Sequence, residues 1–222
     1  TRGWEQWEPD AGTTPIPVCH LDAAPLSPAQ RRLWARLGNG STICNLPLAM
    51  LLTGPLKIHA LEAALTEVLT RQTALRSVIV EHDGAPWQEV RPVTPPILGR
   101  LDASHTPDPQ AAFARMAEAL ARRPFDLGRG PLLRTWLCRL GTDRHGLVLV
   151  VHRLVSDDQS MALILAQLQA AYARRVGAIG HNGEKTAPLP LRYTDFTVWQ
   201  LAGHNEARIR TQVEACAAVL NG

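Results

Sequence analysis

His152, Arg153, Ser156, Asp157 and Asp158 stand together at the end of an uninterrupted apolar run, Leu147 to Val151. Imidazole and carboxylate within one short segment are the residue types of general acid–base chemistry. A histidine titrates near neutral pH and can take a proton from an attacking group. Arginine cannot, because its guanidinium stays protonated and offers no acceptor lone pair. The segment therefore holds a titratable ring at 152, a permanent cation at 153 and two carboxylates at 157 and 158.

Those side chains are held by what flanks them. Leu147 to Val151 reads as a buried strand, and a strongly helical segment follows. Ser156 with Gln159 makes an S-x-x-Q capping box for that helix, and Asp157 and Asp158 fall in its first turn, where the helix dipole favours negative charge. Met161, Ile164, Leu165 and Leu168 form its buried stripe. Upstream, the pattern predicts a helix over 25–38 with Ser27 as N-cap and Pro28 at its first position. A strand over 46–53 is ended by Gly54-Pro55, and Leu61, Leu65, Val68 and Leu69 mark a helix over 58–72. Strands over 75–82 and 87–91 read as a hairpin about Asp83-Gly84. A further helix over 109–122 carries Phe113, Met116 and Leu120 on one face, and strands over 131–140 and 146–151 follow. Residues 1–24, rich in Pro, Gly and acidic side chains, read as a linker carrying Trp4 and Trp7. Residues 173–190 read as a polar, Gly-rich mobile loop, and a last long helix begins at Tyr193. There is no internal repeat, no phosphate-cradling glycine loop and no heptad pattern.

Composition bounds the function. A chain of 222 residues can bury a real core in one or two domains. Apolar residues are 45% and charged residues 19%, far from the disordered range. A formal charge of +3 is too small to argue for nucleic acid. Lys57 and Lys185 are the only lysines among 23 basic residues, which with the abundant alanine points to a GC-rich genome rather than to a binding function. Cys19, Cys44, Cys138 and Cys216 show neither CxxC pairing nor metal-like spacing with histidine, so free thiols in a reducing cytosol are expected. No segment reads as a signal peptide or a membrane span, and a cytoplasmic location is expected.

The motif region resembles the HHxxxDG signature of nonribosomal peptide synthetase condensation domains, which share a chloramphenicol-acetyltransferase-like α/β sandwich. Other segments carry the same resemblance in the same order. Leu26-Ser27-Pro28-Ala29-Gln30-Arg31-Arg32-Leu33-Trp34 is similar to LSxAQxRLW, and Arg71-Gln72-Thr73-Ala74-Leu75-Arg76-Ser77 to RHExLRT without its His and Glu. Phe125-Asp126-Leu127 with Gly130-Pro131-Leu132-Leu133-Arg134 matches FDLxxGPLLR, and Tyr193-Thr194-Asp195-Phe196-Thr197-Val198-Trp199-Gln200 is close to YxDYAVWQ. The resemblance covers about 25–222, implying the amino-terminal lobe of a two-lobed domain whose second lobe is absent from this chain.

In that family the second histidine is the base position and the aspartate a structural anchor. With Asp157 as anchor, the base position falls on Arg153 and the terminal glycine on Asp158; a register using His152 as base would need an aspartate at 156, where Ser156 stands. The HRxxxDD form resembles the X-domain of glycopeptide antibiotic synthetases, an inactive relative of condensation domains. The resemblance implies no catalytic residue, only a degenerate motif of His152, Arg153, Asp157 and Asp158. It implies no cofactor, since the haem belongs to the partner. The implied role is a non-catalytic platform that docks cytochrome P-450 oxygenases for crosslinking of the peptide on a peptidyl carrier protein. An interior Arg153 guanidinium would be costly without a partner, so Asp157 or Asp158 is expected within ion-pair distance of it. Arg31, Arg32 and Arg36 on the first helix, with Arg122 and Arg123 at a helix end, are the candidate docking arginines. The alternatives are a condensation or epimerisation domain with a degenerate active site, although an epimerase-like domain would still be expected to keep the second histidine, and a decayed spacer.

Overall fold

A computed structural model describes residues 15–37, 41–95, 98–177, 187–203, 210 and 213–218. Trp4 and Trp7 lie outside them. In chain order the elements are β1 (Ala23–Pro25), α1 (Pro28–Leu37), β2 (Asn45–Thr53), α2 (Ile58–Arg71), β3 (Ser77–His82), β4 (Ala85–Val90), β5 (Leu98–Asp102), α3 (Pro109–Ala121), β6 (Leu133–Gly141), β7 (Arg144–His152), α4 (Asp158–Val176) and α5 (Tyr193–Ala202). The strands form a four-stranded sheet, β2-β7-β6-β5, and a three-stranded sheet, β1-β4-β3.

The apolar run occupies an interior strand of the larger sheet. Leu147, Leu149 and Val151 point to one face, where Leu61, Leu65, Val68 and Leu69 of α2 and Met161, Ile164 and Leu168 of α4 cover them. Val148 and Val150 point the other way, onto Phe113 of α3, Phe125, Leu127 and Leu154, with Leu33 and Trp34 of α1 packed alongside. A strand covered on both faces needs apolar side chains at every position, hence the unbroken run. β2 pairs antiparallel with β7 at the sheet edge, and Pro47 is tolerated there because it need not donate to a second neighbour. In the β3–β4 hairpin Asp83 and Gly84 both take positive φ, 51° and 76°, the turn that Asp-Gly favours.

Four features depart from the sequence reading. Residues 73–76 form a tight helical turn rather than the start of β3. β5 was not foreseen: only Leu98 of its five residues is buried, so it lacks alternation, and the Trp136 ring fills the space a Cβ at Gly99 would take. β1 comes from the end of the segment read as a linker, and pairs Ala23 to Pro25 with Glu89 to Trp87. The final turn of α4 extends into the segment read as a loop because Glu67 of α2 grips both Arg174 and Arg175, the latter at 2.6 Å. Gly177, left-handed at φ 73°, then closes the helix. The remainder of that loop, 178–186, lies outside the described residues.

No described helix is long and apolar enough to cross a membrane. All four cysteines are free, Cys44 and Cys138 buried and Cys19 and Cys216 exposed. Burial raises the pKa of both buried thiols.

Candidate functional site

β7 delivers His152 to the layer shared with α3. Its backbone N–H donates to Leu132 O at 3.0 Å, and its ring meets Phe125 edge-on with centroids 5.7 Å apart. The Arg134 guanidinium lies 3.8 Å over the same Phe125 ring, held there by Arg123 O and Pro124 O. Burial, reinforced by the Arg134 charge, pushes the His152 pKa down to about 4. The imidazole is therefore neutral at physiological pH. Its Nδ1 accepts from Leu154 N at 3.3 Å, which leaves the proton on Nε2. His152 braces the turn after β7.

Arg153 takes the opposite course. Its N–H donates to Cys44 O at 2.8 Å, tying the turn to the residue that precedes β2, while its side chain is exposed. It lines a groove of about 470 Å³ with Gln30 and Leu33 of α1, Val155 and Asp157 of the turn, Ser160 of α4 and Tyr193 of α5. Among the described residues, arginine and aspartate are the charged groups of this lining, and no histidine is part of it.

The expected ion pair is not formed. Among the described residues no carboxylate lies within 4.0 Å of Arg153. The expectation assumed an interior guanidinium; an exposed one is solvated and needs no partner. Asp157 is committed elsewhere. It is the N-cap of α4, accepting from Ser160 N at 2.7 Å and Ser160 Oγ at 2.6 Å. Those bonds lower its pKa, with Arg153 adding a weaker longer-range effect. The cap thus sits one residue later than the sequence reading, which placed it at Ser156. Ser156 is buried, and its hydroxyl donates to Asp157 O at 3.4 Å. Asp158 is in the first turn of α4, as expected.

The segments that carried the family resemblance converge on this turn. Ser27 caps α1 reciprocally: Gln30 N donates to Ser27 Oγ at 3.2 Å, and Ser27 N donates to Gln30 Oε1 at 2.9 Å. The Gln30 amide then donates to Leu154 O at 3.0 Å, fixing the residue beside Arg153. Gln88 of β4 lies within 3.5 Å of the Gln30 amide and donates to Thr197 Oγ1 of α5 at 3.1 Å. Ser27 Oγ and Tyr193 Oη are 3.0 Å apart, so α1 and α5 also meet directly. Asp195, 1% exposed, accepts from Leu21 N and from Arg192 N, closing α5 onto the strand β1. Sequence reasoning missed Gln88 as the hub, because a glutamine in a half-buried hairpin strand carries no distinguishing signal. Arg134 belongs to the FDLxxGPLLR match, but nothing in the sequence signals its stacking on Phe125.

The candidate docking arginines fall into two groups. Arg31, Arg32 and Arg36 are exposed on α1; Arg122 and Arg123 are exposed at the end of α3. Arg31 is partly engaged, its Nε donating to Leu26 O at 2.9 Å, and Arg122 pairs with Glu118 at 2.6 Å. Among the described residues no hydrogen bond or ion pair joins the two groups. Among them, too, no cluster of His, Cys, Asp and Glu could hold a metal ion.

Comparison with known proteins places this architecture. The condensation domain family profile matches residues 20–214. An isonitrile lipopeptide synthase of Mycobacterium tuberculosis is 39% identical over 200 residues, covering 86% of this chain and 8% of that protein. Chondramide synthase cmdD of Chondromyces crocatus is 36% identical over 197 residues, covering 86% of this chain and 5% of that protein. Among solved structures, the complex of the X-domain and OxyB from teicoplanin biosynthesis aligns with a TM-score of 0.72 at 31% identity, covering 86% of this chain and 41% of that one. The chain thus spans less than half the length of each of these relatives. The chloramphenicol-acetyltransferase-like α/β fold is shared with them, and the profile covers both the motif turn and the elements that brace it. The chain belongs to the condensation-domain family.

Proposed function

We propose that this chain is the amino-terminal lobe of an X-domain, a non-catalytic platform within a nonribosomal peptide synthetase that docks cytochrome P-450 oxygenases beside a carrier-bound peptide. The observation that carries the reading is Arg153: a permanent cation faces the groove at the base position, while His152 is neutral and turned into the core. General base catalysis is worth about 10²–10⁴-fold in rate, and a guanidinium at the base position cannot supply it. The likeness to the X-domain solved with OxyB supports the same reading. Arg31, Arg32, Arg36, Arg122 and Arg123 are the candidate contacts, since guanidinium forks match carboxylates bidentately. The second lobe of the domain and a peptidyl carrier protein complete the assembly.

Calorimetry of the complete two-lobed domain with a P-450 oxygenase tests the proposal. Association is expected, weakening as salt rises because rim charges are screened over about 8 Å at physiological ionic strength. Charge reversal at the contacting arginines should abolish it while leaving the fold intact. Failure to associate at low salt and high concentration would leave the spacer reading. The two relatives are synthases, which favours a second reading, a condensation or epimerisation domain with a degenerate site. Peptide-bond formation well above background by the complete domain would establish that reading instead.

A further inference from the structure

At the other end of α4, about 27 Å along the helix from the motif, a cavity of about 590 Å³ opens between α2, the last turn of α4 and the segment leading into α5. Ala63 and Leu189 give it an apolar wall, and Arg71, Arg76, Arg175 and Arg192 line it, with Glu67 as the one carboxylate among the described residues. The charges do not balance. Glu67 is held by Arg174 and Arg175, and Asp22, beside the cavity, pairs with Arg192 at 2.7 Å. Arg71 and Arg76 have no carboxylate within 4.0 Å among the described residues. Each places one Nη on a main-chain carbonyl, Ala187 O and Arg91 O respectively. The Nε of each is enclosed without an acceptor. Burial lowers the pKa of Arg76, and the repulsion from Arg192 outweighs the attraction of Asp22. Partly enclosed guanidiniums without counter-charge are destabilising, and an anion between them would relieve the strain.

We propose that this cavity binds a phosphate monoester carried on a small apolar or aromatic body, with Arg71 and Arg76 holding the phosphate. Two guanidiniums without a carboxylate match a group that carries close to two negative charges at pH 7. Guanidinium forks suit its oxygens, and the Ala63–Leu189 wall takes the organic body. The volume falls within the range of small-molecule sites, about 300–1,000 Å³. The site lies outside the motif groove, so it stands or falls independently of oxygenase docking.

Titration calorimetry of this chain with phenyl phosphate, inorganic phosphate and benzoate tests the assignment. Phenyl phosphate should bind more tightly than either, since inorganic phosphate lacks the body and benzoate the second charge. Arg71→Gln and Arg76→Gln should each weaken it by about 10- to 100-fold, whereas Arg144→Gln, exposed at the start of β7, should leave it unchanged. Ala63→Phe, which fills the apolar wall without touching charge, should abolish phenyl phosphate binding. Arg71→Lys keeps the charge but loses the fork, and it should weaken binding by about tenfold. Thermal melts establish which variants fold; if the glutamine variants do not, Ala63→Phe and Arg71→Lys decide. Absence of saturable phenyl phosphate binding overturns the proposal, as does binding unaltered by the cavity variants that fold.

Discussion

Acidification should destabilise this chain through His152 well before most carboxylates titrate. The folded state holds the imidazole pKa at about 4 by burial and the Arg134 charge, whereas the unfolded chain returns it to 6.5. Between those values the unfolded state binds a proton that the folded state refuses, so stability falls as pH falls. Above about 6.5 the term is flat, and below about 4 it is complete. Each pH unit in the interval is worth about 1.4 kcal/mol for one proton, so the whole interval withdraws about 3 kcal/mol. For a chain of this size that is a fall in Tm of about 6–12 °C. Urea unfolding followed by tryptophan fluorescence from pH 7.5 to 4.5 measures it, with His152→Asn as the reference. Asparagine keeps an acceptor where Nδ1 receives the Leu154 N–H but does not titrate. The wild type should lose stability more steeply than the variant, the gap growing through the window. Parallel pH profiles would refute the reasoning: His152 would then be free to protonate in the folded state, and its dismissal as a base would fail.

Three further outcomes follow from the same turn. Asp157→Ala should cost about 1 kcal/mol in urea unfolding, because it removes the cap that Ser160 N and Oγ engage. Gln30→Leu should cost about 2–3 kcal/mol in the same assay, since Leu154 O loses its buried donor and Gln88 its neighbour. Arg153→Ala should change stability by less than about 0.5 kcal/mol, as befits an exposed cation without an ion pair; a loss of about 3–5 kcal/mol in chemical denaturation would instead reveal a buried pair.

The elements with strong periodicity were legible in the sequence. β7 declared itself through an apolar run that only a doubly covered strand requires, and α1 through Ser27 and Pro28, with Ser27 Oγ capping the helix as expected. Short elements that depend on partners were not legible. β1 is three residues paired with β4, and β5 is a half-exposed edge strand paired parallel to β6. At the motif, residue identity was readable but orientation was not. Sequence alone placed a cation at 153 and two carboxylates nearby, and supposed that they would meet. The outcome turned on which side of the turn faces the core. The His152 ring goes inward, onto Phe125, and Arg153 outward to the groove, so Asp157 was left to cap a helix.

The polar bracing of that turn weighs in the choice between docking platform and spacer. A spacer needs a stable fold, and apolar replacement of both partners in a buried hydrogen bond is close to neutral for stability. The side-chain contact of Gln30 with Gln88 could therefore give way to apolar packing, although Leu154 O would lose its donor. What such a network supplies beyond stability is position: it fixes Leu154 O, and with it the adjacent Arg153, relative to α1 and α5. On the proposed reading the neighbouring base position carries no base, and catalysis would then not account for that precision. A surface that another protein must recognise does account for it, because a partner reads the placement of rim side chains and not their capacity to move protons. If the proposed docking role holds, the turn is braced for what it presents outward, and Arg153 belongs among the residues to reverse when oxygenase binding is measured.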